Sequence, residues 1–274
     1  MNLWVHEYAV PLCKKVFENY PLCRVRGLDS RAEYNDKLPA RSPYAHAVSN
    51  LSMHLTEHAF ITLAGRTVPP EEMNYIKLDP IDTTSFNLPK NYIVLTTGYT
   101  SKARAWKSES VNAVSDYIIS KGFTPVYLGK GYTHAYKDEG IKGTFEADYS
   151  KGINLIDKTN IFEAHAIMAN SKAVLGIDNG LLHLAALSDA HIIYGFTSVI
   201  PEHRLPYRNN IKGHNVQVIM PTEQELACIG CQSKMTFVPK EHDFRNCFYG
   251  PDDFKCLDAM SSDKWIEALK KVGI

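Results

Sequence analysis

Residues 91–196 of the 274-residue chain predict an α/β fold of the doubly wound, Rossmann-like kind with a parallel sheet. Three observations predict it. Short apolar runs recur at 92–97, 125–129, 173–177 and 191–196. Helix-length segments at 108–120, 162–169 and 179–188 lie between them, and glycine, hydroxyl and amide residues collect where two of the runs end, at 98–102 and 176–180. Strands joined through helices pair in parallel, because a parallel neighbour needs a crossover of a dozen or more residues. Ligands in such sheets bind beyond the carboxyl ends of the strands, so chemistry is expected at those two loops.

The elements follow in order. The first ninety residues show no strand and helix alternation by pattern: a helix is predicted over 5–20, a polar, turn-rich stretch over 29–42, and a second helix over 45–65. The second helix places Leu51, Leu55, His58 and Ile61 at helical spacing, which makes it amphipathic. Pro69, Pro70, Pro80 and Pro89 mark a linker, after which the alternation begins. Hydrophobic residues at 45% and charged residues at 22% describe a folded globular chain. Lysine plus arginine equals aspartate plus glutamate at 30 each, so no global basic field draws the protein to nucleic acid or an anionic membrane. No apolar run approaches the roughly 18 residues of a membrane span, and a cytoplasmic protein is expected.

The strongest local feature is the run Val174-Leu175-Gly176-Ile177-Asp178-Asn179-Gly180-Leu181-Leu182-His183-Leu184-Ala185-Ala186, a strand passing directly into a helix. Free amides at a helix start favour a phosphate, Gly180 admits a ligand to the backbone, and His183 lies one turn in. The plain alternative is that Asp178 or Asn179 caps the helix and His183 packs beneath a loop. The second feature is Cys228-x2-Cys231-x15-Cys247-x8-Cys256, set apart from Cys13 and Cys23. In a reducing compartment four clustered thiols point to a metal more than to disulfides. An all-thiolate shell suits zinc or iron and leaves no open position, so the site would be structural, with His242 as a substitute ligand.

The segment 176–186 followed by Gly195-Phe196-Thr197-Ser198 resembles the signature of glycosyltransferase family nine, the heptosyltransferase group. Two further stretches agree. Leu95 to Trp106 is similar to the group's hydroxyl-rich loop with a basic residue two before a Trp, here Arg104 in place of the usual lysine, and Gly152 to Thr159 resembles its Asn-Leu-Gly-Lys-Thr segment. The similarity covers 91–208. It implies a GT-B fold in which Thr100, Ser101 and Arg104, with Lys102 as rival, reach the donor phosphates, while Asp178, Asn179, Gly180 and His183 surround the sugar and diphosphate. The cysteine spacing is similar to the iron-holding finger of bacterial autotransporter heptosyltransferases. The domain division implied is a reduced or partial acceptor-side domain at 1–90, a nucleotide-sugar-binding domain at 91–222, and a finger with a C-terminal helix at 223–274. Nothing before 91 matches the group's glycine-rich first loop.

An inverting transferase needs a base to take the acceptor proton, and His54, Glu57 and His58 on one helix are the candidates. Glu57 follows the wrong histidine for an HExxH zinc site, and ordinary helix packing is the competing account. Tyr99, Trp106 and Tyr132 are candidates to flank the base or sugar, against core packing. The expected activity is transfer of a sugar, heptose being one candidate, from a nucleoside diphosphate donor to an acceptor hydroxyl with inversion and without a catalytic metal. The acceptor stays open among glycan, protein and modified DNA, and a homo-oligomer is compatible. Two rivals remain: a nucleotide-sugar epimerase or hydrolase of the same shape, and a non-catalytic donor-binding remnant or assembly module. A dinucleotide oxidoreductase is disfavoured because no GxGxxG follows a candidate strand.

Overall fold

The structure, a computed structural model, describes residues 2–6, 10–16, 18, 24–28, 69–73, 75–99, 102–131, 146–234, 247 and 254–274. The chain opens with a strand β1 (Asn2–His6), a helix α1 (Val10–Val16) and a strand β2 (Arg24–Leu28). β1 and β2 pair in parallel from Asn2↔Arg24 to His6↔Leu28. The start is therefore a βαβ unit, which corrects the helix expected over 5–20: strand pairing claims Val5 and His6, and the described helix is Val10–Val16, with Pro11 in its first turn, where a fixed φ is harmless. The expected turn-rich stretch at 29–42 and the helix at 45–65 lie outside the described residues.

From Tyr92 the alternation runs as expected. β3 (Tyr92–Thr96), α2 (Ser108–Ser120), β4 (Thr124–Leu128), β5 (Ile153–Asn154), α3 (Ile161–Ala169), β6 (Val174–Ile177), α4 (Gly180–Ala185) and β7 (Ile192–Gly195) follow in order. A short antiparallel pair, β8 (Tyr207–Arg208) and β9 (Ile211–Lys212), precedes β10 (Val216–Ile219). Six strands form one parallel sheet in the order β10-β7-β6-β3-β4-β5. Numbered in chain order within the sheet, this is 3-2-1-4-5-6. The order reverses between β3 and β6, and the crevice at their carboxyl ends is where such folds hold ligands.

Both faces of the sheet are covered, which explains why its strands read as continuous apolar runs. Alternate residues still point to opposite sides. Ile93 and Leu95 join Val111, Val114 and Ile118 of α2, whereas Tyr92 and Val94 join Ala164, Ile167 and Met168 of α3. α3 is well started: Asn160 accepts from the amides of Phe162 and Glu163, and the Glu163 carboxylate accepts from the Asn160 amide, a capping box. The C-terminal helix α5 (Ser262–Lys271) lays Trp265, Ala268 and Leu269 into the α2 side of the core. Trp265 meets Trp106 with ring centroids 3.9 Å apart, and a Cβ on Gly195 would stand 2.7 Å from the Trp265 ring, so glycine is what lets this helix reach the sheet.

The linker straps down the site's far side. The Tyr75 amide donates to the Tyr207 carbonyl and the Leu78 amide to the Leu187 carbonyl, both at 2.7 Å, and Lys77 pairs with Asp189. The buried Arg208 guanidinium donates to the carbonyls of Ser188, Ala190 and His214, closing the turn after α4. Among the described residues no helix is long and apolar enough to cross a membrane.

Candidate functional site

Asp178 follows directly on β6, at the reversal of strand order, and is buried. The hydroxyl of Tyr194, on the neighbouring β7, donates to Asp178 Oδ1 at 2.8 Å. Two guanidiniums face the other oxygen: Arg104 Nη2 is 3.5 Å and Arg204 Nε 3.8 Å from Asp178 Oδ2. Arg104 ends a short 3₁₀ turn, Lys102–Arg104, after β3, and Arg204 follows another, Pro201–His203, after β7. Burial pushes the Asp178 carboxyl up, but Arg104 and Arg204 outweigh it and the group is held below the usual carboxylate range. It is an anion at neutral pH.

His183 completes a chain of protons. Its Nε2 is 3.1 Å from the Tyr194 hydroxyl and its Nδ1 3.2 Å from the Tyr75 hydroxyl. Because Tyr194 spends its one proton on Asp178, His183 Nε2 must donate to the Tyr194 oxygen; Nδ1 is then the lone pair that accepts from Tyr75. Burial, helped by Arg204 and Arg104 and opposed by Asp178, lowers the imidazole pKa, so the ring is neutral and carries its proton on Nε2. Burial and Asp178 raise the Tyr194 phenol well above its ordinary value, keeping it a donor. The order of donation is Tyr75, His183, Tyr194, Asp178.

Asn179 does what the plain alternative required. Its side-chain oxygen accepts from the amides of Leu181 and Leu182 at 3.0 and 3.3 Å, so the helix start is already capped. Its amide nitrogen donates to Thr96 Oγ1 at 2.8 Å, and Thr96 in turn donates to the Leu175 carbonyl, bridging β3 and β6 across the reversal point. Gly176 makes room for this bridge, since a Cβ there would lie 1.9 Å from Thr96 Oγ1. Gly180 is exposed with nothing within 4 Å of where a Cβ would be, which leaves its backbone open to a ligand.

The structure thus brings together Arg104, Asp178, Asn179, Gly180 and His183. Lys102 is exposed, and of the two rivals in this loop it is Arg104 that reaches Asp178. Thr100, Ser101, Tyr132 and the candidate bases His54, Glu57 and His58 lie outside the described residues. Trp106 does not flank a ligand: it is 2% exposed, donates to Ser110 Oγ and packs on Trp265. Tyr99 packs against the same core cluster. Tyr75, Tyr194 and Arg204 were not singled out by motif. For Arg204 the signal was positional, a basic residue in a loop beyond the carboxyl end of a parallel strand.

Cys228, Cys231, Cys247 and Cys256 are free and partly buried. Burial raises Cys256 to about 12 and Cys231 to about 11, and the thiols also oppose one another's ionisation: Cys256 feels the other three, and Cys231 feels Cys228 and Cys247. Among the described residues, however, no three His, Cys, Asp or Glu groups stand where they could hold a metal ion. His242 lies outside them. The Cys228–Cys231 turn is fastened to the loop after β7 by main-chain bonds of 2.8 Å, Gly230 N–H to Thr197 and Gln232 N–H to Ser198. Thr197 Oγ1 donates to the Ala103 carbonyl, beside Arg104.

The sequence model of glycosyltransferase family 9 (heptosyltransferase) matches residues 29–236. The chain belongs to glycosyltransferase family 9. The match begins upstream of 91, where no motif was evident. A comparison with curated protein sequences returned no match. Among solved structures, the family 9 chain is similar to the bacterial iron-containing dodecameric glycosyltransferase TibC from enterotoxigenic E. coli H10407, with a TM-score of 0.66 and 12% identity over 99% of this chain and 77% of TibC. The family 9 glycosyltransferase from Veillonella parvula DSM 2008 gives 0.53 and 14% over 93% and 65%. E. coli ADP-heptose lps heptosyltransferase II gives 0.52 and 14% over 99% and 75%. At these identities the likeness establishes the fold, the α/β, GT-B-like arrangement of family 9 glycosyltransferases.

Proposed function

We propose that this family 9 glycosyltransferase moves a sugar from a nucleoside diphosphate sugar to an acceptor hydroxyl, with inversion at the anomeric carbon. The observation that carries the reading is the pair of guanidiniums converging on Asp178 at the reversal point of the sheet. As the glycosidic bond to the diphosphate breaks, its electron pair stays on the phosphate oxygen, and preorganised positive charge there lowers the barrier without a catalytic metal. Arg104, with Lys102 as its rival, supplies that charge, and the hydroxyls of Thr100 and Ser101 from the same loop reach the donor phosphates. Asp178, Asn179, Gly180 and His183 line the sugar and diphosphate, the neutral His183 holding Tyr194 and Tyr75 in place through its two ring nitrogens. The acceptor proton goes to a base among His54, Glu57 and His58.

Heptose carried on ADP is the donor to try first, because TibC has been solved with ADP-D-β-D-heptose. In this reading 1–90 forms the acceptor-side domain, 91–222 the donor domain and 223–274 the finger with its helix. The acceptor is a glycan, a protein side chain or modified DNA, the compartment is the cytoplasm, and a homo-oligomer is in keeping with the dodecameric TibC. The iron in TibC and the cysteine spacing are the grounds for a structural iron or zinc site at Cys228, Cys231, Cys247 and Cys256, whose four free, partly buried thiols do not themselves stand as a ligand set. When bound, such a metal cross-links the segment and takes no part in the chemistry.

The test is calorimetric titration of the purified protein with ADP-, GDP- and UDP-sugars, repeated with Asp178→Ala and His183→Ala after each is shown to melt cooperatively. One donor should bind selectively and both variants should lose it; turnover products then separate transferase from epimerase. If no donor binds, the reading fails.

A further inference from the structure

We propose that Arg204 is a second donor-binding guanidinium, and that Arg104 and Arg204 each take one phosphate of the donor's diphosphate, with Asp178 holding both poised in its absence. The proposal rests on the nucleotide-sugar reading and deepens it by naming a residue that no motif marks.

The distances support this. A committed Arg–carboxylate fork closes to about 2.7–2.9 Å. Arg104 and Arg204 stand at 3.5 and 3.8 Å from one carboxylate oxygen, so Asp178 orients both cations without closing a fork with either. Their side chains remain 17% and 18% exposed while that of Asp178 is 6% exposed, so the carboxylate is the more deeply buried and both arginine side chains keep some accessible surface. Two guanidiniums, one carboxylate and a neutral His183 thus meet in one mostly buried place. A diphosphate neutralises such a site better than a monophosphate does.

Arg204 is also held in advance of any ligand. Its amide donates to the Pro201 carbonyl at 2.9 Å and its Nη1 to the His203 carbonyl at 3.1 Å. The turn before it is pinned from the other side, with Ser233 Oγ accepting from the Ile200 amide at 3.0 Å and lying 3.1 Å from His203 Nδ1. Among the described residues Arg204 Nη2 has no hydrogen-bond partner. Arginine suits the task because its planar fork can turn from carboxylate to phosphate without losing its charge.

The experiment takes whichever of ADP, GDP and UDP binds the full chain and measures dissociation constants for that diphosphate and its own monophosphate. Arg204→Gln should weaken the diphosphate by at least about tenfold, the loss of one charged hydrogen-bonded contact, and change the monophosphate by less than about threefold; Arg204→Lys should fall between. Unchanged diphosphate affinity in a folded Arg204→Gln protein overturns the proposal. So does an equal loss for both nucleotides, because that marks a residue that merely shapes the site. Should Arg204→Gln fail to fold, Arg204→Lys decides by the same ratio. If the unaltered protein binds no nucleotide, the nucleotide-sugar reading itself is what fails.

Discussion

The Tyr194 hydroxyl donates to Asp178 Oδ1 at 2.8 Å and accepts from His183 Nε2 at 3.1 Å, so one phenol sets the charge partner of a carboxylate and the tautomer of an imidazole. Tyr194→Phe keeps the ring and its stack on Phe196, 4.3 Å between centroids, and removes only that oxygen. A buried N–H on His183 and one oxygen of a buried carboxylate then lose their partner. The expected cost is about 2 kcal/mol of stability, read by urea unfolding. A ¹⁵N spectrum should show His183 losing its fixed Nε2–H tautomer; a variant with unaltered tautomer and stability would contradict the donation order.

Stability should fall as pH is lowered from about 6.5, the value of an unperturbed histidine. Burial lowers the pKa of His183, His165 and His191 in the folded protein. Between the folded and unfolded pKa values the unfolded chain binds protons that the folded chain refuses, so acid favours unfolding. Asp178, also lowered on folding, adds to the same slope only below its unfolded carboxylate value, as its pairing with Arg104 and Arg204 is lost. Urea melts at pH 7.5, 6.5 and 5.5 check this, and His183→Asn should flatten the upper part of the slope. A protein equally stable at 7.5 and 5.5 would count against neutral buried imidazoles.

Much of the sheet is legible in the sequence because its strands are short, apolar on both faces and bounded by strong helix starts. The helix expected over 108–120 is the helix observed, and the strands at 92 and 192 are placed within a residue or so. β1 is not legible, since its parallel partner lies beyond a seven-residue helix and the two strands have no alternating pattern. β10 is a four-residue edge strand, only partly buried, and resembles loop. The site is legible where one segment carries it, at 176–183. Tyr75 meets His183 from 108 positions away, and Arg204 joins Asp178 from another loop. Spacing in sequence holds no trace of such convergence, which comes from sheet order and from the linker bonded to Tyr207 and Leu187.

The cysteine turn and the Arg104 loop should respond together. Gly230 sits at φ +71, its amide bonded to Thr197, and a Cβ there would lie 2.8 Å from Ile200 Cγ2. Gly230→Ala should therefore cost at least roughly 1–2 kcal/mol from the left-handed backbone alone, and it should weaken donor binding, because Thr197 also holds the Ala103 carbonyl beside Arg104. Elemental analysis of the purified protein tests for iron or zinc. If a metal is present, its removal by a chelator should lower donor affinity in the same direction. Loss of metal with unchanged donor affinity would show that the turn and the loop are independent.

Three glycines near the site separate packing from binding. Gly195→Ala drives a methyl into Trp265 and Met260, at 2.7 and 2.8 Å, where a buried tryptophan cannot yield, and overpacking of this kind costs about 1–3 kcal/mol. Gly176→Ala strikes Thr96 Oγ1 and breaks the Thr96–Asn179 bridge, so it should lose stability and donor binding together. Gly180→Ala meets nothing and lies in the first turn of α4 at a helical position, where alanine is the better helix former, so its stability should hold or rise slightly. Its donor affinity should nevertheless fall, because the methyl occupies the space through which a ligand reaches the backbone. Calorimetric titration and thermal melts of the three variants check the pattern. Gly180→Ala with undiminished donor binding would move the ligand away from the start of α4 and toward the Arg104 and Arg204 loops alone.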